Sequence, residues 1–260
     1  MHGTRAPITI DLNADLGEGF GTYQAGPDEE LLALVSSANL ACGFHGGDPL
    51  VMRAAVARAA ALGVAIGAHP GYRDLVGFGR RFIDATPDEV YTDTLYQIGA
   101  LAAFCRAAGA PLRHMKAHGA LYNRAVADPA TAAALMRATR DFDPSLRVFA
   151  PAGSAQQTQA EALGLCVVPE VFADRAMNRD GSLVSRRLPG AMIDDPVEAA
   201  ARAVRMARDH RATAIDGTEL TVVGETICLH GDAPGALDRA RAIRAALEGA
   251  GITIAAPAAG

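Results

Sequence analysis

The sequence predicts an α/β protein built as an irregular seven-stranded (β/α) TIM-type barrel, and three observations carry that expectation. About seven apolar, β-type runs recur along the chain, near residues 8–12, 36–44, 64–69, 112–118, 146–151, 166–172 and 226–231. Patterns with helical starts lie between them, and such alternation demands parallel pairing with right-handed crossovers. The 260 residues are half apolar, which suits one large domain over 1–260 with a sizeable core. A doubly wound open sheet is the alternative with the same alternation.

In chain order, Ile8-Thr9-Ile10-Asp11-Leu12 reads as the first strand, and Asn13-Ala14-Asp15 leads from it into a glycine-rich turn. Asp48-Pro49, with a capping acid before a proline, opens a helix to about Leu62. Thr86-Pro87-Asp88-Glu89 is a capping box and opens another to about Ala108. Asp128-Pro129 and Asp195-Pro196-Val197-Glu198 repeat the device. A shorter helix follows Ser154, and a last one runs from about Pro234 to Glu248. Arg175 to Gly190 reads as a polar excursion over one mouth of the barrel, and residues 255–260 as a flexible tail.

Composition excludes several classes of partner. The net charge is −5 and no run of Lys or Arg occurs, which argues against a nucleic-acid surface or an anionic-membrane anchor. The longest uncharged apolar stretch, Ala59 to Ala68, is too short to span a bilayer. A soluble, cytoplasmic protein is expected. Cys42, Cys105, Cys166 and Cys228 are far apart, form no C-x-x-C and sit in apolar runs as small hydrophobes, which fits a reducing compartment. Of the 24 basic residues, Lys116 alone is a lysine. Guanidinium cannot replace a compact, titratable ammonium, so Lys116 is a functional candidate.

The polar residues concentrate where parallel α/β folds keep their chemistry, at the carboxyl ends of strands. Four of the seven histidines, His45, His69, His118 and His230, close apolar runs beside Gly or Pro. Residues two apart share a strand face. Asp11, Asn13 and Asp15 therefore align, as do Ser37, Asn39 and His45, then His114, Lys116 and His118, and finally Cys228, His230 and Asp232. Glu170 adds a fifth contribution, and in a closed barrel these faces converge on one pocket. Plainer readings apply to some members. Asp48 and Asp232 suit helix caps, and His114 suits a hydrogen-bonded core position. The Gly17-Glu18-Gly19-Phe20-Gly21 loop suits an anion nest, and Arg80 with Arg81 suits a carboxylate or phosphate. No Walker loop and no H-E-x-x-H occurs.

The strings DLNADLGEGFG (11–21), SSANLACGFHGGDP (36–49), GAHPGYRDLVGFGRR (67–81), HMKAHGALYN (114–123), EVFADR (170–175) and TICLHGD (226–232) resemble the LamB/YcsF family. The resemblance runs in order over nearly the whole chain. It implies a polysaccharide-deacetylase-like seven-stranded (β/α) barrel that serves as the A component of an ATP-dependent 5-oxoprolinase. Such an enzyme converts 5-oxoproline to L-glutamate with partner subunits B and C, and ATP is a co-substrate bound with or by those partners. Asp11, Asp15 or Glu170 would then be the general base, His118 or His69 the acid, and Lys116 the stabiliser of an oxyanion or phosphate. Arg80, Arg81 and Arg175 would hold the substrate carboxylate, with Asn13, His45, His69 and His230 also lining the site. Three departures from the family strings stand out: Ala117 for an expected Pro, Ser185 for Pro, and Glu225 for Asp.

Two other readings stay open. One is a metal-dependent deacetylase-like amidohydrolase, in which Asp11 or Asp15 with His45, His69 or His118 holds a divalent cation. The other is a non-catalytic subunit that delivers a ligand. A cysteine nucleophile is disfavoured because Cys42 and Cys228 lie in apolar strands.

Overall fold

The computed structural model describes residues 8–231 and 234–258. Seven parallel strands close into a barrel: β1 (Thr9–Leu16), β2 (Ser37–Ala41), β3 (Ala65–His69), β4 (Leu112–Met115), β5 (Arg147–Ala150), β6 (Val167–Phe172) and, after a short antiparallel pair β7 (Arg211–Thr213) and β8 (Glu219–Thr221), β9 (Thr226–His230). β9 pairs with both β6 and β1, so the sheet has no free edge between them. The closing register sets Asp11 beside Thr226 and Asp15 beside His230. The open-sheet alternative is thereby excluded.

Helices cover the outside: α1 (Asp28–Leu32), α2 (Pro49–Leu62), α3 (Pro87–Ala107), α4 (Gly119–Ala127), α5 (Pro129–Phe142), α6 (Ala155–Ala162), α7 (Pro196–Asp209) and α8 (Ala236–Gly249). The expected caps do the expected work. Asp48 accepts from the Leu50 and Val51 amides, Thr86 and Glu89 form a reciprocal capping box, and Asp128, Ser154 and Asp195 each accept from the first turn that follows. Asp232, read as a cap, lies outside the described residues. No helix among the described residues is long and apolar enough to cross a membrane.

The apolar core is the layer between sheet and helices, where Leu12, Leu16, Leu40, Ile66 and Met115 are fully buried. Each such side chain contributes roughly 1.5–3 kcal/mol of transfer free energy. The alternate residues of the same strands point inward and are polar. β1 runs four residues beyond the expected Leu12, because Asn13 to Leu16 pair with β2 while Asn13 to Asp15 also pair with β9. α1, α4, the β7–β8 pair and a last short strand β10 (Thr253–Ile254), which adds to β1, carry no strong sequence signal. α4 has no side-chain cap. The Ala255 amide donates to Ile10, which pins the start of the segment read as a tail. Cys166 is exposed, against its reading as a buried hydrophobe.

Candidate active site

The inward polar faces stack in layers. The lowest holds Asp11, whose carboxylate accepts hydroxyl protons from Ser36 (2.6 Å), Ser37 (2.7 Å) and Thr226 (2.5 Å). Burial pushes its pKa up to about 6, although those three hydroxyls pull the other way. Asp11 is four residues below Asp15 on β1, about 13 Å along an extended strand. The structure thus sets this expected catalytic acid in a layer below the one that holds Asp15 and Lys116. Above it, Asn13 donates to Glu170 and Thr226, Asn39 donates to Asn13 and Asp15, and His114 bonds Asn39 at 2.8 Å. His114 is the satisfied core histidine expected; burial, then Lys116, lowers it to about 3.

At the next level Lys116, from the end of β4, stands between acids of two other strands. Its Nζ lies 3.0 Å from Asp15 Oδ1, 2.9 Å from Glu170 Oε1 and 2.9 Å from Cys228 Sγ. Burial alone would lower this ammonium, but Asp15, Cys228 and Glu170 together hold it well above its ordinary value. For Asp15, burial is outweighed by His69 and Lys116, and the carboxyl stays well below the usual range. The second Glu170 oxygen accepts from Tyr122, 2.9 Å away on α4. Burial, then Glu170, raises that phenol. The Cys228 thiol faces this polar layer, as its place on one strand face with His230 predicts, rather than lying as a small hydrophobe in an apolar run. Burial raises its pKa more than Lys116 lowers it.

Beside this ammonium lies a cluster of imidazoles. His45, His69 and His118 are 0, 0 and 2 % exposed, and Glu18, from the loop after β1, is 4 % exposed. His45 Nε2 is 3.1 Å and His118 Nδ1 3.2 Å from Glu18 Oε1, while His118 Nδ1 is 3.0 Å from His69 Nε2. Asp15 Oδ2 approaches His69 Nε2 at 3.2 Å and joins the two groups. Burial would raise Glu18, yet a proton shared with His118 and His45 holds it low. Burial, then His118, lowers His45 to about 3. The Gly17–Gly21 loop, read as an anion nest, supplies the Glu18 carboxylate and turns its Gly17 and Gly21 amides to carboxylates of the chain itself, Asp28 (2.9 Å) and Asp48 (2.7 Å), while a bond from the Gly47 amide to the Gly19 carbonyl (2.8 Å) fastens it to the β2 exit. Gly79 is the cluster's wall. A Cβ there would sit 2.7 Å from His118 Cδ2 and 2.8 Å from His45 Cβ, and its φ of +63° also favours glycine.

The remaining expected residues lie around this centre. His230 bonds Asp174 through Nδ1 at 2.9 Å, and His230 outweighs burial to hold Asp174 low. Arg175 is buried, donates to the Val184 carbonyl at 2.7 Å and leaves Nε without a partner among the described residues. Burial, then Arg186, lowers it to about 10. Arg80 stacks its guanidinium over Phe78 at 5.0 Å. Arg81 forks onto Asp74 instead of a ligand, with its side chain 62 % exposed, so its substrate-binding role is not carried further. Of the three departures, Ala117 is buried while Ser185 and Glu225 are exposed; the Glu225 main chain bonds Asp11 and Pro169. Sequence reasoning missed Glu18, Tyr122 and Asp174. The strand-end rule flags Asp174, just past β6, and the four-residue step from His118 flags Tyr122, whereas Glu18, in the loop after β1, has no such signal.

A closed (β/α) barrel whose strand tips gather three acids, three imidazoles and one ammonium defines a class of barrel proteins with a buried ionisable pocket at the carboxyl end of the sheet. Comparison places the chain within that class. The LamB/YcsF family model matches residues 10–260, and the chain belongs to this family. It is 55 % identical to a protein from Symbiobacterium thermophilum named as the A component of 5-oxoprolinase, over 100 % of both chains. A protein of the same name from Thermus thermophilus is 52 % identical over 95 % of this chain and 99 % of its own. The crystal structure of a lactam utilization protein, also from Thermus thermophilus, superposes with a TM-score of 0.92 at 51 % identity, covering 96 % of this chain and 100 % of that one.

Proposed function

We propose that this chain is the A component of an ATP-dependent 5-oxoprolinase and opens the lactam of 5-oxoproline to L-glutamate, coupled to ATP hydrolysis, with partner subunits B and C. The observation that carries the reading is that relatives matched nearly end to end, at about half identity, bear that one name. The pocket supplies matching chemistry.

A lactam is a resonance-stabilised amide, so its carbon needs activation before water adds. In this scheme the lactam oxygen takes the γ-phosphoryl group of ATP and ADP leaves. Water then adds to the carbon, the ring nitrogen takes a proton and the C–N bond breaks, leaving an acyl phosphate. A second water releases glutamate and phosphate. The chain has no Walker loop and its one lysine is inside the barrel, so ATP is assigned to the partner subunits.

Lys116 offsets the charge of the phosphorylated oxygen. Asp15 Oδ1 is engaged by Lys116 and Asn39, and Oδ2, which meets only His69 among the described residues, acts on water. Both oxygens of Glu170 are engaged, so Glu170 holds Lys116. The imidazole cluster, with His69 and His118, is the proton source for the ring nitrogen. Arg175 and Arg80 take the substrate carboxylate. The connection over 175–190 covers the mouth. The test is glutamate formation from 5-oxoproline and ATP, with this chain alone and with both partner subunits. Glutamate in the mixture only is expected; a complete mixture that makes none removes the assignment.

A further inference from the structure

We propose that Glu18 Oε1, His69 Nε2, His118 Nδ1 and His45 Nε2 form a binding site for one first-row divalent cation, zinc foremost. Backbone carbonyls fix where two of the rings have their proton. His69 Nδ1 lies 2.8 Å from the Lys116 carbonyl and His118 Nε2 lies 2.8 Å from the Phe78 carbonyl. A carbonyl only accepts, so both of those nitrogens carry the N–H. In neutral rings the opposite nitrogens, His69 Nε2 and His118 Nδ1, then present lone pairs, and they face each other at 3.0 Å. Glu18 Oε1, 3.2 Å from His118 Nδ1, and Asp15 Oδ2, 3.2 Å from His69 Nε2, bring further lone pairs to the same point. Four acceptors converge with no donor between them.

Such an arrangement requires a positive centre. An added proton is one solution, and a cation is the other. Three features favour the cation. The four proposed ligand atoms all lie within 4.8 Å of one another. Their nearest separations of 3.0–3.2 Å approach the roughly 3.3 Å that zinc bonds of about 2.0–2.1 Å impose in a tetrahedron. The two outward N–H bonds to backbone carbonyls are the contacts by which metal-ligating imidazoles are usually oriented. His45 is the least demanding member, since its Nε2 can donate to Glu18 without a cation. The neighbouring group of Asp15, Cys228 and His230 is a poorer site, because the Lys116 ammonium already stands against Asp15 and Cys228.

Binding at this site does not depend on the reaction proposed above; its use there rests on that reading, with the cation and the proton donated to the ring nitrogen as alternative occupants of the cluster. The experiment strips tag-free protein with a chelator, titrates it with Zn²⁺ by calorimetry, counts bound metal and records the X-ray absorption of the loaded chain. One equivalent in an all nitrogen/oxygen shell is expected. Loss of an outer contact typically costs 10–100-fold in affinity, so His118→Asn and His69→Asn, each a lost ligand, should weaken binding by more than about 100-fold while circular dichroism shows a folded chain. If either variant fails to fold, Glu18→Gln supplies the same test at nearly constant volume. No saturable binding to folded protein, a sulfur atom in the shell, or affinity unchanged in these variants would overturn the site. Stoichiometric zinc without glutamate formation in the complete mixture leaves the site standing and removes the lactam reading instead.

Discussion

On one side of the pocket Lys116 turns its ammonium toward Asp15, Glu170 and Cys228, and Glu170 has donors on both oxygens. On the other side, His69 and His118 commit their N–H groups to backbone carbonyls and turn lone pairs toward each other and toward Glu18. Both groups are buried and both rest on strand tips, yet their hydrogen bonding differs. On the ammonium side the chain's own donors, Lys116 with Asn13, Asn39 and Tyr122, meet Asp15 Oδ1 and both oxygens of Glu170. The imidazole side reaches balance only with something added. Residues that hold a site together thus have their donors and acceptors matched, whereas residues arranged to receive a further species leave like groups facing one another.

Removing the centre of the ammonium side should have the largest effect. Lys116→Met leaves Asp15 and Glu170 facing each other without their cation, and breaking a buried pair in this way costs about 3–5 kcal/mol. Urea unfolding should show that loss as a lower midpoint with an unchanged slope. In metal-free protein His118→Asn should cost less, since it removes one of the opposed acceptors. Equal losses in the two variants would break the comparison.

Asp11 tests the layer that supports both sides. Its folded pKa of about 6 lies above the ordinary 3.8, so folding favours its protonated form. The stability it contributes is fully present below about pH 4 and is lost as pH rises through 6. Two pKa units correspond to about 3 kcal/mol. Asp11→Asn removes that loss, so the variant should gain on the wild type by up to about 3 kcal/mol between pH 4 and pH 7. Parallel stability curves for the two proteins would show that the three hydroxyls, and not burial, control this carboxyl.

The ammonium side is the more legible one in the sequence. Strand periodicity sets Asn13, Asp15, Lys116 and Glu170 inward, and the structure agrees, because the pleat dictates side-chain direction wherever a strand continues. His45, His69 and His118 follow from the same strand-end rule. Glu18 does not, since the chain leaves β1 at Leu16 and a loop has no period from which to read direction. Tyr122 comes from α4, which has no cap to announce it. Arg81 is read from sequence as facing a substrate carboxylate, and in the structure Asp74, which shares its loop, holds the guanidinium. Cys228 is read two ways, as a small hydrophobe in an apolar run and as an inward member of the alternation, and its contact with Lys116 follows the second.

The smallest expected effect isolates the imidazole side from the rest. Gly79→Ala places a methyl against His118 Cδ2 and His45 Cβ at a φ of +63°. Gly21 has a similar φ of +57° and no atom within 4 Å of a Cβ, so Gly21→Ala carries the backbone penalty without the collision. That penalty is about 1–2 kcal/mol. Gly79→Ala should exceed it, and the excess measures how firmly the two rings are held. Because Gly79 does not touch Lys116, the nitrogen-bound proton of His118 should shift in NMR spectra while the Lys116 ammonium signal stays in place. If Gly79→Ala costs no more than Gly21→Ala and the His118 signal does not move, the rings are free to yield, and the imidazole side is not rigid enough to be a preformed receptor.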